Sequence, residues 1–151
     1  MKTSAIDMQV LHRPCSESDG IIVHESYSVD FIVNGESLLQ SITELTGGHK
    51  DFIGCFARSW INLNDHSKKQ LLLLEPPETK SGRALLYLCP ECGDIGCGAY
   101  GCVIRREDDS YWWSDFAYEN GYEQPRPISG LGPFVFDVKS YEIFVQQAYA
   151  L

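Results

Sequence analysis

Tyr100-Gly101-Cys102-Val103-Ile104-Arg105-Arg106, then Glu107-Asp108-Asp109-Ser110, then Tyr111-Trp112-Trp113-Ser114-Asp115-Phe116-Ala117-Tyr118, is two β-rich runs broken by four polar residues. β-branched and aromatic side chains fit a pleated, half-buried surface, and acids with serine at the break supply turn chemistry. The stretch therefore predicts an antiparallel β-hairpin, and with it a sheet built from sequential strands rather than from strands alternating with helices.

Upstream, Ala84-Leu85-Leu86-Tyr87-Leu88 is apolar at every position and predicts a central strand, set off from what precedes it by Pro76-Pro77 and a polar loop. Residues 6–11 predict a short first strand. Residues 21–33 alternate, with Ile21, Val23, Tyr27, Val29, Phe31 and Val33 on one side, and predict one long half-buried strand. The period then changes. Leu38, Leu39, Ile42 and Leu45 share a helical face over residues 36–45, and Gly47-Gly48 stops the helix. Residues 51–63 carry Phe52, Ile53, Phe56, Trp60 and Ile61 and predict another strand, after which Asn64 or Asp65 caps a short helix through Leu74.

Downstream, Phe134-Val135-Phe136 predicts a last short strand. Asp137 is placed to cap a helix over residues 138–150 whose inward face is Tyr141, Phe144, Val145 and Ala148. The expected fold class is α+β: a mainly antiparallel sheet of about six to seven strands with two to three helices, the last at the C-terminus. Residues 1–151 read as a single domain, with no linker-like stretch and no internal repeat.

The composition, 44% apolar and 22% charged, is that of a chain able to bury a core without disulfide staples. Twelve Lys and Arg against twenty-one Asp and Glu leave a formal charge of -9. Such a field repels phosphate backbones and anionic membranes and attracts basic partners, so neither nucleic acid nor a membrane is an expected ligand. The N-terminal segment lacks the apolar run of a signal sequence, and no run approaches a membrane span, which points to a cytoplasmic protein.

Six cysteines in a reducing compartment are thiols or metal ligands rather than bridges. Cys89, Cys92, Cys97 and Cys102 follow one another as CxxC, four residues, Cys, four residues, Cys, with Gly93, Gly96 and Gly98 to permit tight folding. Four thiolates in such a loop suit a structural zinc. Against it, Cys102 falls inside the predicted strand, and the loop carries Glu91 and Asp94 where a nucleic-acid knuckle has Lys and Arg. Two other readings stay open: thiols packed as small hydrophobes, and a CxxC thiol oxidoreductase, which nearby acids disfavour by raising a thiol pKa.

Between residues 107 and 123 the charged side chains are all acids, interleaved with aromatic rings. Asp108, Asp109, Tyr111, Trp112, Trp113, Asp115 and Glu119 are accordingly the candidate partner-binding residues, since aromatics supply rigid contact area and carboxylates steer a basic surface into register. On a strand Trp112 faces opposite to Tyr111 and Trp113, so one set packs inward. The bland alternative is a buried hairpin with a solvated acidic turn. No catalytic motif is present, whether a nucleophile elbow, HExxH, phosphate loop or dinucleotide fingerprint, and no catalytic residue is assigned.

The run Leu86-Tyr87-Leu88-Cys89-Pro90-Glu91-Cys92-Gly93-Asp94-Ile95-Gly96-Cys97-Gly98-Ala99, with Trp113-Ser114-Asp115-Phe116-Ala117-Tyr118-Glu119-Asn120 downstream, resembles a family of small bacterial proteins marked by CPECGDxGCGA. The likeness extends to Gly82-Arg83 and Phe136-Asp137. In that pattern Cys89, Cys92 and Cys97 belong to the signature and a cysteine at the place of Cys102 does not; no reaction comes with it. In size and charge the chain is also similar to the immunity proteins of bacterial toxin systems, including contact-dependent inhibition. That likeness implies a non-enzymatic protein that neutralises a basic cognate toxin, often a nuclease; the cysteine spacing keeps a zinc-knuckle module of unknown partner as the alternative.

Overall fold

The computed structural model describes residues 2–90 and 95–151. Among them the chain forms eleven strands, three α-helices and a 3-10 turn. In order these are β1 (Ile6–Arg13), β2 (Ser16–Ser18), β3 (Ile21–Val23), β4 (Ser26–Val33), β5 (Glu36–Ser37), α1 (Leu38–Thr46), β6 (Ile53–Gly54), α2 (Ile61–Leu71) and β7 (Ala84–Leu88). The 3-10 turn Ile95–Cys97, β8 (Ala99–Glu107), β9 (Ser110–Glu119), β10 (Arg126–Pro127), β11 (Phe134–Asp137) and α3 (Val138–Tyr149) follow. Every strand pairing is antiparallel, and the last helix is C-terminal, so the fold is mainly-sheet α+β.

The main path of strands runs β10-β9-β8-β7-β6, with β11 also on β9, and a second sheet runs β1-β4-β5. Residues 53–58 splice the two. Ile53 and Gly54 pair with β7 and Cys55 N–H donates to Leu86 O, then Val29 N–H donates to Phe56 O and Arg58 N–H to Tyr27 O. This is why the strand expected over residues 51–63 is short: the segment changes partner halfway along. At the far end Ser4 N–H donates to Val135 O, so the stretch before β1 reaches back to β11.

Residues 21–33 are two strands rather than one. β3 pairs with β2 in a small ribbon turned at Asp19-Gly20, both with positive φ, and leaves Ile21 and Ile22 exposed. β4 instead pairs along the whole of β1, Ile6 opposite Val33. Both faces of β4 are covered, so Ser28 and Asp30 are buried beside Val29, Phe31 and Val33. The side chains of Ser28 and Asp30 are both satisfied. Ser28 Oγ accepts from Gly54 N–H, and Asp30 accepts from the Tyr87 and Ser37 hydroxyls at 2.6 Å each.

The helices follow their caps. Ser37 accepts from Gln40 N–H to begin α1 and Gly47 in the left-handed region ends it, while Asp137 accepts from Ser140 N–H to begin α3. α2 starts earlier than the expected Asn64 or Asp65 cap, because the Asn64 amide turns back and pairs with both N–H and C=O of Ala57 at 2.8 Å. Leu45, expected on the inward face of α1, is half exposed in its last turn.

Phe31 lies at the centre of the core, its ring 5.7 Å from Tyr87, 5.4 Å from Trp113 and 5.8 Å from Phe144. Removing so central a ring costs about 3–5 kcal/mol in typical cores. A short polar chain threads the packing: Trp113 Nε1 donates to the Tyr141 hydroxyl, which donates to Leu71 O, tying β9, α3 and α2 together.

Candidate functional site

β8 and β9 pair from Glu107 opposite Ser110 to Ala99 opposite Glu119, closing on a turn in which Asp108 takes a positive φ. Asp108 and Asp109 are exposed. Tyr111 and Trp113 point into the core, where Trp113 is fully buried and Tyr111 stacks on Tyr141 at 4.2 Å. Strict alternation would send Asp115 in after them. β9 is bulged here, Asp115 and Phe116 together standing opposite Cys102 of β8; Asp115 adopts φ 53, and Phe116 goes inward in its place. The irregularity therefore keeps a carboxylate out of the core.

The structure corrects the expected docking surface at three positions. Tyr111, Trp113 and Glu119 are interior groups, covered by α3, by β11 and by the loop before β7, so none of them offers a contact face. Glu119, 6% exposed, accepts from the Ser81 hydroxyl at 2.8 Å and lies 4.0 Å from Arg83. Nor is the segment left purely acidic. Arg105 lies over Trp112 at 4.7 Å, Arg106 over Tyr111 at 5.6 Å and Arg126 over Tyr118 at 5.2 Å, while Arg83 donates to Asp115 O. Pairing across the sheet supplies the cations that the linear stretch lacks.

What stays outside is the end of the hairpin, and there the fold adds acids from elsewhere in the chain. Asp137 stands opposite Ser110, and Val138 N–H donates to Asp109 O, which sets the start of α3 against the turn. Glu142 accepts from the Tyr111 hydroxyl at 3.1 Å; burial first, and that carboxylate second, hold the phenol above its usual pKa. Glu107, Asp108, Asp109, Asp137 and Glu142 thus converge from a turn, a strand end and a helix, with Ile143 59% exposed beside them. Glu107 is paired with Arg105 at 3.2 Å, and Arg106 lies over Tyr111, so cations share this end of the hairpin. Asp137 and Glu142 were not legible as site residues, since only the β11–β9 pairing brings them there.

The cysteines separate into two groups. Cys89 follows β7 and is half-buried, and Cys97 closes the 3-10 turn at the surface; Cys92 lies outside the described residues, as do Glu91 and Asp94. Cys102 does not belong with them. It sits in β8 opposite Ala84, fully buried, and burial together with neighbouring Cys55 pushes its thiol well above the ordinary range. Burial likewise pushes Cys55 up to about 12. A strand position inside the core gives Cys102 no path to a surface metal, so the expected four-thiolate set is corrected to Cys89, Cys92 and Cys97 at most. Among the described residues no group of three or more His, Cys, Asp and Glu is gathered for a metal ion.

The acidic hairpin end stands on a mainly antiparallel α+β scaffold. No helix among the described residues is long and apolar enough to cross a membrane. In comparisons with known proteins, no family model, no curated protein and no solved structure matches the chain.

Proposed function

We propose that this chain is a non-enzymatic, cytoplasmic protein-binding inhibitor of the immunity type, which neutralises a basic cognate toxin. The observation that carries the reading is the convergence of Glu107, Asp108, Asp109, Asp137 and Glu142 around the end of the hairpin, beside the exposed Ile143. Carboxylates held on three packed elements present a fixed negative field, which accelerates encounter with a cationic cleft and orients it. Ile143 offers exposed apolar area on α3, next in sequence to Glu142, while half-buried Trp112 under Arg105 and exposed Asp115 lie on the opposite face of β9. Tyr111 and Trp113 act from behind, holding the hairpin against α3.

The test is protection. Co-expression with the toxin encoded beside its gene is expected to restore growth, and the double variant Asp108→Lys, Asp109→Lys is expected to lose that protection and to slow association by about tenfold at low salt. Full protection by the double variant, with an unchanged association rate, would remove this end of the molecule from the interface.

A second reading rests on the cysteine turn. Cys89 follows β7 and Cys97 ends the 3-10 turn, which Gly98 N–H closes by donating to Ile95 O, and the third signature cysteine lies between them in sequence. Zinc held by these thiolates would tie the end of β7 to the 3-10 turn. Metal analysis of freshly purified protein should then give about one zinc per chain, lost in Cys97→Ser; zinc-free protein with an intact fold refutes this reading.

A further inference from the structure

On a different surface, an open cavity of about 600 Å³ lies between the C-terminal end of α1, the 3-10 turn and β10. Its walls are a succession of rings. His49 stacks on Phe52 at 5.0 Å and 6°, Phe52 meets Tyr100 at 4.9 Å, Tyr100 meets Tyr118 at 5.7 Å, and the Arg126 guanidinium caps Tyr118 at 5.2 Å. Ile128 completes the lining.

Two features distinguish this cavity from ordinary aromatic packing. The first is Tyr100. The residue is 5% exposed, and its hydroxyl, which lines the cavity, has no hydrogen-bond partner among the described residues. A hydroxyl that opens onto a cavity and has no protein partner is free to bond a polar atom of something bound there. The second is the use of glycine where the hydroxyls sit. A Cβ at Gly48 would lie 2.8 Å from the Tyr100 hydroxyl, and a Cβ at Gly98, which has φ 100, would lie 2.5 Å from that of Tyr118. Both rings reach their positions only because the backbone beside them carries no side chain.

The polar groups around the rings are chiefly donors. Asp51 N–H donates to His49 Nδ1, which leaves the proton of the neutral ring on Nε2. The Tyr100 and Tyr118 hydroxyls and the guanidinium of Arg126 complete the set. Arg126 is engaged by Glu123 at 2.9 Å, but both side chains are largely exposed, so the pair is weak and exchangeable. We infer that this cavity binds a planar aromatic carboxylate: the ring enters between His49, Tyr100 and Tyr118, and the carboxylate takes Arg126 from Glu123. Edge and face contacts with flat rings select a planar ligand, and the planar guanidinium favours a carboxylate over a neutral amide.

Benzoate is the probe. Titrated into the isotope-labelled full chain, it is expected to shift the backbone amide signals of Gly48, His49, Tyr100 and Ile128 with a Kd of about 1 mM or below. Benzamide should bind about fivefold or more weakly, and acetate should leave those signals in place. Tyr100→Phe keeps the ring and should weaken benzoate about fivefold with the melting temperature retained. Arg126→Gln, a surface change, should abolish the preference for benzoate over benzamide. No shift of these amides at ten times that concentration overturns the inference. So does an equal response to acetate, or benzoate binding unchanged in both variants. Because these residues take no part in the acidic end of the hairpin, either result leaves the inhibitor reading standing on its own test.

Discussion

Tyr87→Phe removes one oxygen from the interior and no ring. The wild-type hydroxyl is fully buried, donates to Asp30 Oδ1 at 2.6 Å and accepts from Phe31 N–H at 3.1 Å. Its loss takes away a hydrogen bond to a carboxylate, worth about 1.5–3 kcal/mol, and leaves a buried N–H unpaired at a further 1–3 kcal/mol or so. Asp30 keeps its 2.6 Å bond from Ser37, and the void left by one oxygen is too small to add much, so the expected loss is about 3–4 kcal/mol. For a chain of 151 residues that corresponds to a fall in Tm of roughly 6–16 °C. Urea unfolding followed by tryptophan fluorescence measures it, as a lower midpoint at unchanged slope. A loss below about 1 kcal/mol would show that this network is not what holds β4 against β7.

Gly54→Ala places a Cβ 1.8 Å from Val29 O, where backbone meets backbone and neither yields; a loss of about 3 kcal/mol or failure to fold is expected, and a near-native melting curve would contradict it. Asp115→Gly relieves a non-glycine residue at φ 53 and should raise stability by up to about 1 kcal/mol, whereas Asp115→Val should lower it, both read by urea midpoints. His66, bonded to Glu75 at 3.0 Å, has a pKa raised above 6.5, first by that hydrogen bond. The folded state therefore binds this proton more tightly, and the small stabilisation is fully present below the unfolded pKa and fades as pH rises through the folded one. An NMR titration should show the raised pKa in the native protein and its return toward 6.5 in Glu75→Gln.

Local pattern carried much of the fold. The strand at residues 84–88, the β8–β9 hairpin, the Asp137 cap and the inward face Tyr141, Phe144, Val145 and Ala148 stand where the sequence puts them, because period, propensity and turn chemistry agree there. The misses arise where a distant partner decides. The ribbon of β2 and β3 interrupts a continuous alternation at His24-Glu25, and Asn64 bonds backward to Ala57 instead of capping forward. At the candidate site Asp108 and Asp109 were legible as exposed acids, whereas Asp115 is outside only through the bulge in β9. The fate of Tyr111, Trp113 and Glu119 was not legible, since it depends on α3, β11 and Ser81. The covering of Trp112 by Arg105 and the arrival of Glu142 at the hairpin end are likewise products of pairing between segments far apart in sequence.

Cys55 and Cys102 lie side by side in the centre of the molecule with their thiols held in the protonated form. Alkylating reagents attack the thiolate, and a protonated sulfur sealed from solvent reacts only when the surrounding strands separate. The chain therefore carries its own stopwatch. In native conditions exposed Cys15 and Cys97 are modified first, and the delay before Cys55 and Cys102 react times how seldom the whole core comes apart.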